Sequence, residues 1–263
     1  MMTKRIAPLD GPPTLEIASG TATIRLCRPA AHNRIDPDDI AVLVDQLGQI
    51  AARRDVRAVV ITGTGNATFS SGYTIDAILD RLNRSFEDLL DAIEQFPLPT
   101  ICALNGSVYG GATDLALCCD FRIGIRGSRM FMPAARFGLH YYPGGLRRYV
   151  AALGLTQAKR LFLTAQTLDA EEMLRVGFLT DLVGRRALGA RVAQYVAALR
   201  DCEPKAVKSM KRQLNAIAAG KPFARSRSAY QASLRSPELK QRLAALATRR
   251  RKIAGLRRAQ RLR

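Results

Sequence analysis

The feature that most constrains the fold of this chain is a glycine-rich segment that leads into an apolar run with helical spacing. The segment Asn105–Asp120 reads NGSVYGGATDLALCCD, and two of its glycines directly precede an apolar run with a carboxylate in its first turn. Glycine permits a tight turn and the close approach of a ligand, while a helix start presents unpaired N–H groups. The pattern predicts a strand, a loop and a buried helix, with a site for an anionic oxygen of either a phosphate or a thioester enolate.

Strand and helix patterns alternate through the first two thirds of the chain. Asp36 and Pro37 mark the start of a helix that runs to about Arg53, and another helix follows Gly111. This alternation predicts an α/β fold with parallel strands. The predicted strands are two that form a hairpin and three buried ones: Thr14–Ala18, Thr21–Cys27, Arg57–Thr62, Thr100–Leu104 and Phe121–Ile125.

The last third of the chain is helical and strongly basic. Beyond one short strand at 181–183, the helical patterns cover 170–176, 187–200, 204–219 and 237 to about 254. Residues 203–263 hold 18 of the 41 Lys and Arg residues but only two of the 22 acids. We therefore predict a core over residues 1–200 and a basic helical oligomerisation region over 201–263.

Composition favours a cytoplasmic protein without a metal site. No run of about 18 apolar residues occurs, and the N-terminus lacks the apolar stretch of a signal peptide. The five cysteines are an odd number without a C-x-x-C pair, which indicates buried thiols in a reducing compartment. The basic tail has three interpretations: a solvated helix face, a complement to the phosphates of coenzyme A, or a nucleic-acid contact. Residues 249–263 contain no aromatic side chain that would support the third.

A second glycine loop, Phe69–Asp76 (FSSGYTID), follows the predicted strand that ends at Thr62. Together with Asn105–Asp120, it resembles the F-x-A-G-x-D and N-G-x-x-x-G-G-G-x-E-L-A-L-x-C-D loops of the enoyl-CoA hydratase/isomerase (crotonase) superfamily. The likeness extends upstream to Arg28–Asn33, which is similar to R-P-x-x-x-N, and downstream to Phe137-Gly138 and four further short motifs between residues 144 and 179. In all it covers roughly residues 14–200.

The resemblance implies a spiral of ββα units, a C-terminal region that forms a homotrimer or hexamer, and an acyl-CoA thioester as substrate without any further cofactor. It assigns two oxyanion-hole donors, the backbone N–H groups of Tyr73 and Gly111. Such donors stabilise charge that develops on the thioester oxygen. By the same resemblance, the residues that would contact coenzyme A are Ala31, Ser71, Thr74, Ile75, Asp76 and Gly110.

The chain departs from the family at the acid/base positions. Hydratases of the family use two glutamates, and the corresponding positions here are Asp114 and Ala134. Alanine cannot transfer a proton, so hydration by two carboxylates is doubtful. Asp114 could act alone or could simply stabilise the helix start. A third position, which carries Asp in other members, is Tyr142, and it adjoins His140 and Tyr141. The imidazole could serve as an acid or base and a phenol could donate a hydrogen bond, or these could be packing residues with a polar tip.

These residues predict an acyl-CoA-binding enzyme of the enoyl-CoA hydratase/isomerase type. It would stabilise a thioester enolate in an oxyanion hole, with Asp114 as the acid/base and Tyr142 as a further catalytic residue, and isomerase or lyase chemistry suits it better than hydration. Two alternatives stay open. One is an acyl-CoA binder without catalysis, and the other is a homologue that associates with nucleic acid through its basic tail.

Overall fold

The computed structural model describes residues 10–221 and 226–260. The chain forms two compact units, the first ending at Cys202 and the second beginning at Glu203. The boundary that we predict after residue 200, with an oligomerisation role for the second part, stays a prediction.

A six-stranded sheet forms the centre of the first unit. Its strands lie in the order β1-β2-β3-β5-β7-β10, antiparallel between β1 and β2 and parallel throughout the rest. Their bounds are Gly11–Ala18 for β1, Thr21–Cys27 for β2, Ala58–Gly63 for β3, Thr100–Ala103 for β5, Phe121–Ile125 for β7 and Asp181–Val183 for β10. These strands confirm the predicted hairpin and the parallel pairing.

Helices cover both faces of this sheet because successive strand residues point to opposite sides. Val59 and Ile61 belong to the core cluster beneath α1 (Asp39–Ala51), α3 (Arg84–Glu94) and α4 (Gly111–Cys118). Val60 belongs to a second cluster, which α7 (Leu188–Asp201) closes with Val196. The strands are therefore buried on both faces, as the β-branched apolar runs in the sequence indicate.

A second, four-stranded sheet carries the glycine loops. Its order is β4-β6-β8-β9, with β4, β6 and β8 parallel and β9 antiparallel to β8. The strands are short: Thr68–Ser70 for β4, Ser107–Tyr109 for β6, Arg129–Phe131 for β8 and Leu168–Asp169 for β9. The remaining helices of this unit are α2 (Ile78–Arg81), α5 (Pro143–Thr164) and α6 (Ala170–Arg175).

The second unit is helical over its described residues. It contains α8 (Pro204–Ala218), α9 (Ser226–Leu234) and α10 (Pro237–Gln260). Among the described residues of the whole chain, no helix combines the length and the apolar composition that a membrane crossing needs. The mixed α/β class with parallel strands and a helical C-terminal region is confirmed.

Candidate active site

The two glycine loops lie side by side because they follow neighbouring parallel strands. β4 pairs with β6, so the segments that leave their carboxyl ends meet at the same edge of the sheet. A Cβ atom added to Gly72 would lie 2.6 Å from the backbone nitrogen of Gly111. A Cβ on Gly111 would lie 3.6 Å from the nitrogen of Tyr73. The fold therefore brings the two predicted donors together, although they are far apart in sequence.

Both of these backbone N–H groups are available to a ligand. Within residues 10–221 and 226–260, neither the Tyr73 N–H nor the Gly111 N–H donates a hydrogen bond. Each donor follows a glycine with a positive φ angle, +86° at Gly72 and +54° at Gly110. L side chains rarely adopt such angles, so the glycines turn the backbone and expose the following N–H. Gly111 is also the first residue of α4, where helix geometry leaves the N–H unpaired.

Hydrogen bonds to an upstream turn hold the first loop in place. The Ser70 hydroxyl donates to the carbonyl of Asn33 at 2.7 Å and accepts from the Gly72 N–H at 3.1 Å. The Ile35 N–H donates to the Gly72 carbonyl at 2.8 Å. Because the N–H and the carbonyl of Gly72 are both hydrogen-bonded, the peptide unit that carries the Tyr73 N–H is oriented before any ligand binds.

A cleft of about 420 Å³ opens in front of the donors, and Tyr73, Gly110 and Gly111 line it. Its size is that of a site for a small organic molecule. Much of its wall is aromatic, from Tyr73, Phe86, Tyr109, Phe131, Phe137, Tyr141 and Tyr142. Ala134 also lines the cleft and adds an apolar side chain to its wall. Its correspondence to a glutamate of the hydratases stays a prediction.

Asp114 does not line this cleft and is bound by an arginine. Its carboxylate is fully buried and accepts two hydrogen bonds from Arg148, at 2.8 Å from Nε and 3.0 Å from Nη2. The hydroxyls of Tyr141, at 3.3 Å, and of Tyr142 also donate to it. Both carboxylate oxygens are therefore engaged, which argues for a structural role. The assignment of Asp114 as acid/base stays a prediction.

The charges around Arg148 explain how this ion pair is tolerated in the interior. Burial alone would lower the pKa of Arg148, but the hydrogen bonds and the negative charge of Asp114 raise it above its ordinary value. The same guanidinium bonds Asp91 at 2.7 Å and Glu94 at 3.2 Å. Arg148 thus stays protonated and links α5 to α3 and α4.

Tyr142 lines the cleft but its hydroxyl points to this ion pair. Burial, together with the charge of Asp114, raises the pKa of Tyr142 above its ordinary value. Its hydroxyl donates to Asp114 and accepts from Arg148 at 3.2 Å, so it is a neutral group with its proton in use. A catalytic role for Tyr142 stays a prediction. His140 lines the cleft with an exposed side chain.

The residues assigned to coenzyme A fall into two groups. Ser71, Ile75 and Gly110 line the cleft. Thr74 is buried and bonds Asp36 and the Ile35 carbonyl, Asp76 is exposed, and Ala31 lies in a short turn upstream. Their contacts with coenzyme A stay predictions.

Sequence reasoning missed Arg148 and Glu87. Arg148 lies in α5, where no motif distinguishes it from other arginines, and its partner is 34 residues away. Glu87 lines the cleft from α3 and belongs to none of the matched motifs. In the described part of the chain, no three His, Cys, Asp or Glu side chains come together as a metal site would require.

Comparison with known proteins agrees with this geometry. The family model for enoyl-CoA hydratase/isomerase matches residues 16–243. The short-chain-enoyl-CoA hydratase of Clostridium acetobutylicum is 29% identical over 208 residues, covering 76% of this chain and 80% of that protein. The (E)-benzylidenesuccinyl-CoA hydratase of Thauera aromatica is 27% identical over 207 residues, with the same coverage.

A crystal structure of an enoyl-CoA hydratase/isomerase family member superimposes with a TM-score of 0.84 at 26% identity, covering 92% of this chain and 96% of that one. The predicted crotonase-like fold is thereby confirmed. The chain belongs to the enoyl-CoA hydratase/isomerase family.

Proposed function

We propose that this protein binds an acyl-CoA thioester in the cleft and stabilises its enolate. The thioester oxygen would accept hydrogen bonds from the N–H groups of Tyr73 and Gly111. The observation that carries the proposal is that these two N–H groups adjoin, face a cleft and have no partner in the described part of the chain. The CoA esters in the names of the two hydratase relatives support the substrate class.

The physical basis is the charge that forms on the thioester oxygen when a proton leaves the neighbouring carbon. Fixed dipoles that point at this oxygen stabilise the enolate more than the ground state, and they need no reorganisation during the reaction. One such donor typically contributes about 3 kcal/mol of barrier lowering. An apolar, aromatic wall strengthens the effect because it keeps water away from the charge.

Isomerase or lyase chemistry fits the cleft better than hydration. Addition of water by the family's usual route needs two carboxylates, and the two positions hold Ala134 and an Asp114 that is paired with Arg148. A shift of a double bond needs a single group that removes a proton and returns it. The proposal therefore extends to the conversion of 3-enoyl-CoA to 2-enoyl-CoA esters.

The rest of the assignment follows the family resemblance. We assign coenzyme A contacts to Ala31, Ser71, Thr74, Ile75, Asp76 and Gly110, a homotrimer or hexamer as the assembly, and the cytoplasm as the location.

Calorimetric titration with a panel of acyl-CoA esters tests the proposal. We expect saturable binding of at least one ester to the full chain, and weaker binding of free coenzyme A, which lacks the thioester oxygen. Failure of every ester to bind would refute the proposal.

The alternative is an acyl-CoA binder without catalysis. The two hydrogen bonds from Arg148 to Asp114 favour this alternative, because they hold in an ion pair the carboxylate that would otherwise act as the acid/base residue. It predicts ester binding without any exchange of the thioester α-proton for solvent deuterium.

A further inference from the structure

The cleft contains one carboxylate that belongs to none of the family's acid/base positions. Among the described residues that line it, Glu87 is the sole acid, and its side chain is half-buried. The other ionisable residues of the lining are Arg84, His140 and four tyrosines.

The helix that carries Glu87 packs directly on the oxyanion hole. A ring carbon of the preceding residue, Phe86, lies 2.9 Å from the position that a Cβ of Gly111 would take. The same ring meets Tyr73 edge to face with centroids 5.3 Å apart. Because adjacent residues of a helix differ by about 100° in direction, Phe86 can contact the donors while Glu87 lines the adjoining wall.

Glu87 also differs from its neighbours Asp88 and Asp91 on this helix, because they form ion pairs and it does not. Asp88 pairs with Arg84 at 3.4 Å, and Asp91 pairs with Arg148 at 2.7 Å. Within the described residues, the Glu87 carboxylate has neither a hydrogen bond nor an ion pair. This is the opposite of Asp114, which has four hydrogen bonds and no access to the cleft. A carboxylate without partners inside an apolar cleft can accept a proton from a ligand.

We propose that Glu87 is the acid/base residue of the cleft and catalyses a one-base proton shift in a bound enoyl thioester. The inference rests on the proposed function. The ionised carboxylate removes a proton from the α-carbon of a 3-enoyl ester, and the electron pair moves to the thioester oxygen between the Tyr73 and Gly111 N–H groups. The protonated Glu87 then returns the same proton to the γ-carbon. The double bond moves from the 3- to the 2-position, and nothing is consumed.

Replacement of Glu87 by glutamine tests the inference because it keeps the size of the side chain and removes the base. The probes are trans-3-hexenoyl-CoA, followed by conversion to the 2-enoyl ester, and hexanoyl-CoA, followed by deuterium incorporation at its α-carbon. Asp88→Asn is the matched control, since it alters the next acid on the same helix outside the cleft lining. His140→Gln tests the imidazole of the wall, which could also transfer a proton.

We expect Glu87→Gln to lower both rates by at least about 100-fold, while the calorimetric Kd for hexanoyl-CoA changes less than about 3-fold. Asp88→Asn should keep wild-type rates. Should Glu87→Gln fail to fold by circular dichroism, Glu87→Asp replaces it, with an expected loss of about 10-fold because the shorter side chain keeps the carboxylate but reaches the substrate less well.

Two results would overturn the inference and leave the proposed function intact. These are rates for Glu87→Gln within about 3-fold of wild type, and loss of both rates in His140→Gln alone. A wild type that binds hexanoyl-CoA without any exchange would overturn the inference and the enolate role together, in favour of the acyl-CoA binder without catalysis. Failure of the wild type to bind any ester would instead refute the proposed function, so the two failures are distinguishable.

Discussion

Replacement of Arg148 by methionine would leave the Asp114 carboxylate in the interior without its cation. The pair is enclosed, because the side chain of Arg148 is 2% exposed and that of Asp114 is 0% exposed. Methionine fills a similar volume but donates no hydrogen bond. The two tyrosine hydroxyls would remain as donors to Asp114.

The expected cost follows from this geometry. Removal of one partner from a buried ion pair typically costs 3–5 kcal/mol, because the other charge loses its compensation. Two short hydrogen bonds, at 2.8 and 3.0 Å, place this pair inside that range. Asp91 is 45% exposed, so water hydrates its carboxylate when Arg148 is lost, and the loss of this contact adds little to the free-energy cost. We expect a decrease of about 4 kcal/mol in the free energy of unfolding, or on the order of 10 °C in Tm.

The assay is urea unfolding followed by far-ultraviolet circular dichroism, since the chain contains no tryptophan. Arg147→Met is the matched control. It removes the neighbouring arginine of the same helix, which is 31% exposed and pairs with Glu94, and it should cost less than about 1 kcal/mol. The double variant Asp114→Asn/Arg148→Met removes both charges. Its cost should fall short of the sum of the two single variants by about 1–3 kcal/mol.

The same double variant separates a structural from a catalytic Asp114. If Asp114 only holds Arg148 and Tyr142, the double variant should recover α-proton exchange together with stability. Equal costs for Arg148→Met and Arg147→Met, with additive single changes, would refute the reasoning. If the double variant is stable but shows no α-proton exchange, and Glu87→Gln keeps its activity, Asp114 is the acid/base residue.

Three further predictions concern the site and its surroundings. Gly72→Ala should lower α-proton exchange by about 100–1000-fold, since its Cβ would lie 2.6 Å from the Gly111 nitrogen; near-normal exchange would contradict this. Tyr73→Phe should match or exceed the wild-type stability in calorimetry, because the hydroxyl of Tyr73 is buried and finds no hydrogen-bond partner among the described residues; a loss above about 1 kcal/mol would contradict this. Burial, together with the charge of Asp114, raises the pKa values of Tyr141, Tyr142 and Tyr149. Absorbance at about 295 nm should therefore show these three side chains neutral at pH 10, and the free energy of unfolding should fall as the pH rises above the unfolded tyrosine pKa of about 10. Ionisation of the three tyrosines in the folded protein at pH 10 would refute this.

The buried strands and the glycine loops were predictable from the sequence because their signals are local. β2 and β7 have the predicted bounds, Thr21–Cys27 and Phe121–Ile125. β2 alternates polar and apolar residues, β7 is short and mostly apolar, and polar or turn residues flank both. α1 begins at Asp39, three residues after the predicted start, because Asp36 forms a turn in which its N–H donates to the Asp39 carboxylate at 2.9 Å.

The second sheet and α5 were not predictable in the same way. Strands of two or three residues, such as β4, are too short to display a period. α5 begins with Pro143-Gly-Gly and is interrupted at Gly154, where φ is +77°, so its sequence resembles turns. Arg148 lies in this helix, and the contact that neutralises Asp114 depends on the tertiary fold.

The backbone origin of the two donors determines what a mutational scan of this protein would find. Substitution of Tyr73 by alanine leaves its N–H in place, so an alanine scan would be blind to half of the oxyanion site. The sensitive positions should be the preceding residues, Gly72 and Gly110, whose positive φ angles orient the donors. At the first loop, an N–H donor that survives substitution of Tyr73 but not of Gly72 would therefore be the genetic signature of a site that main-chain atoms form. At the second loop the donor itself is sensitive, because a Cβ on Gly111 would lie 2.9 Å from the Phe86 ring.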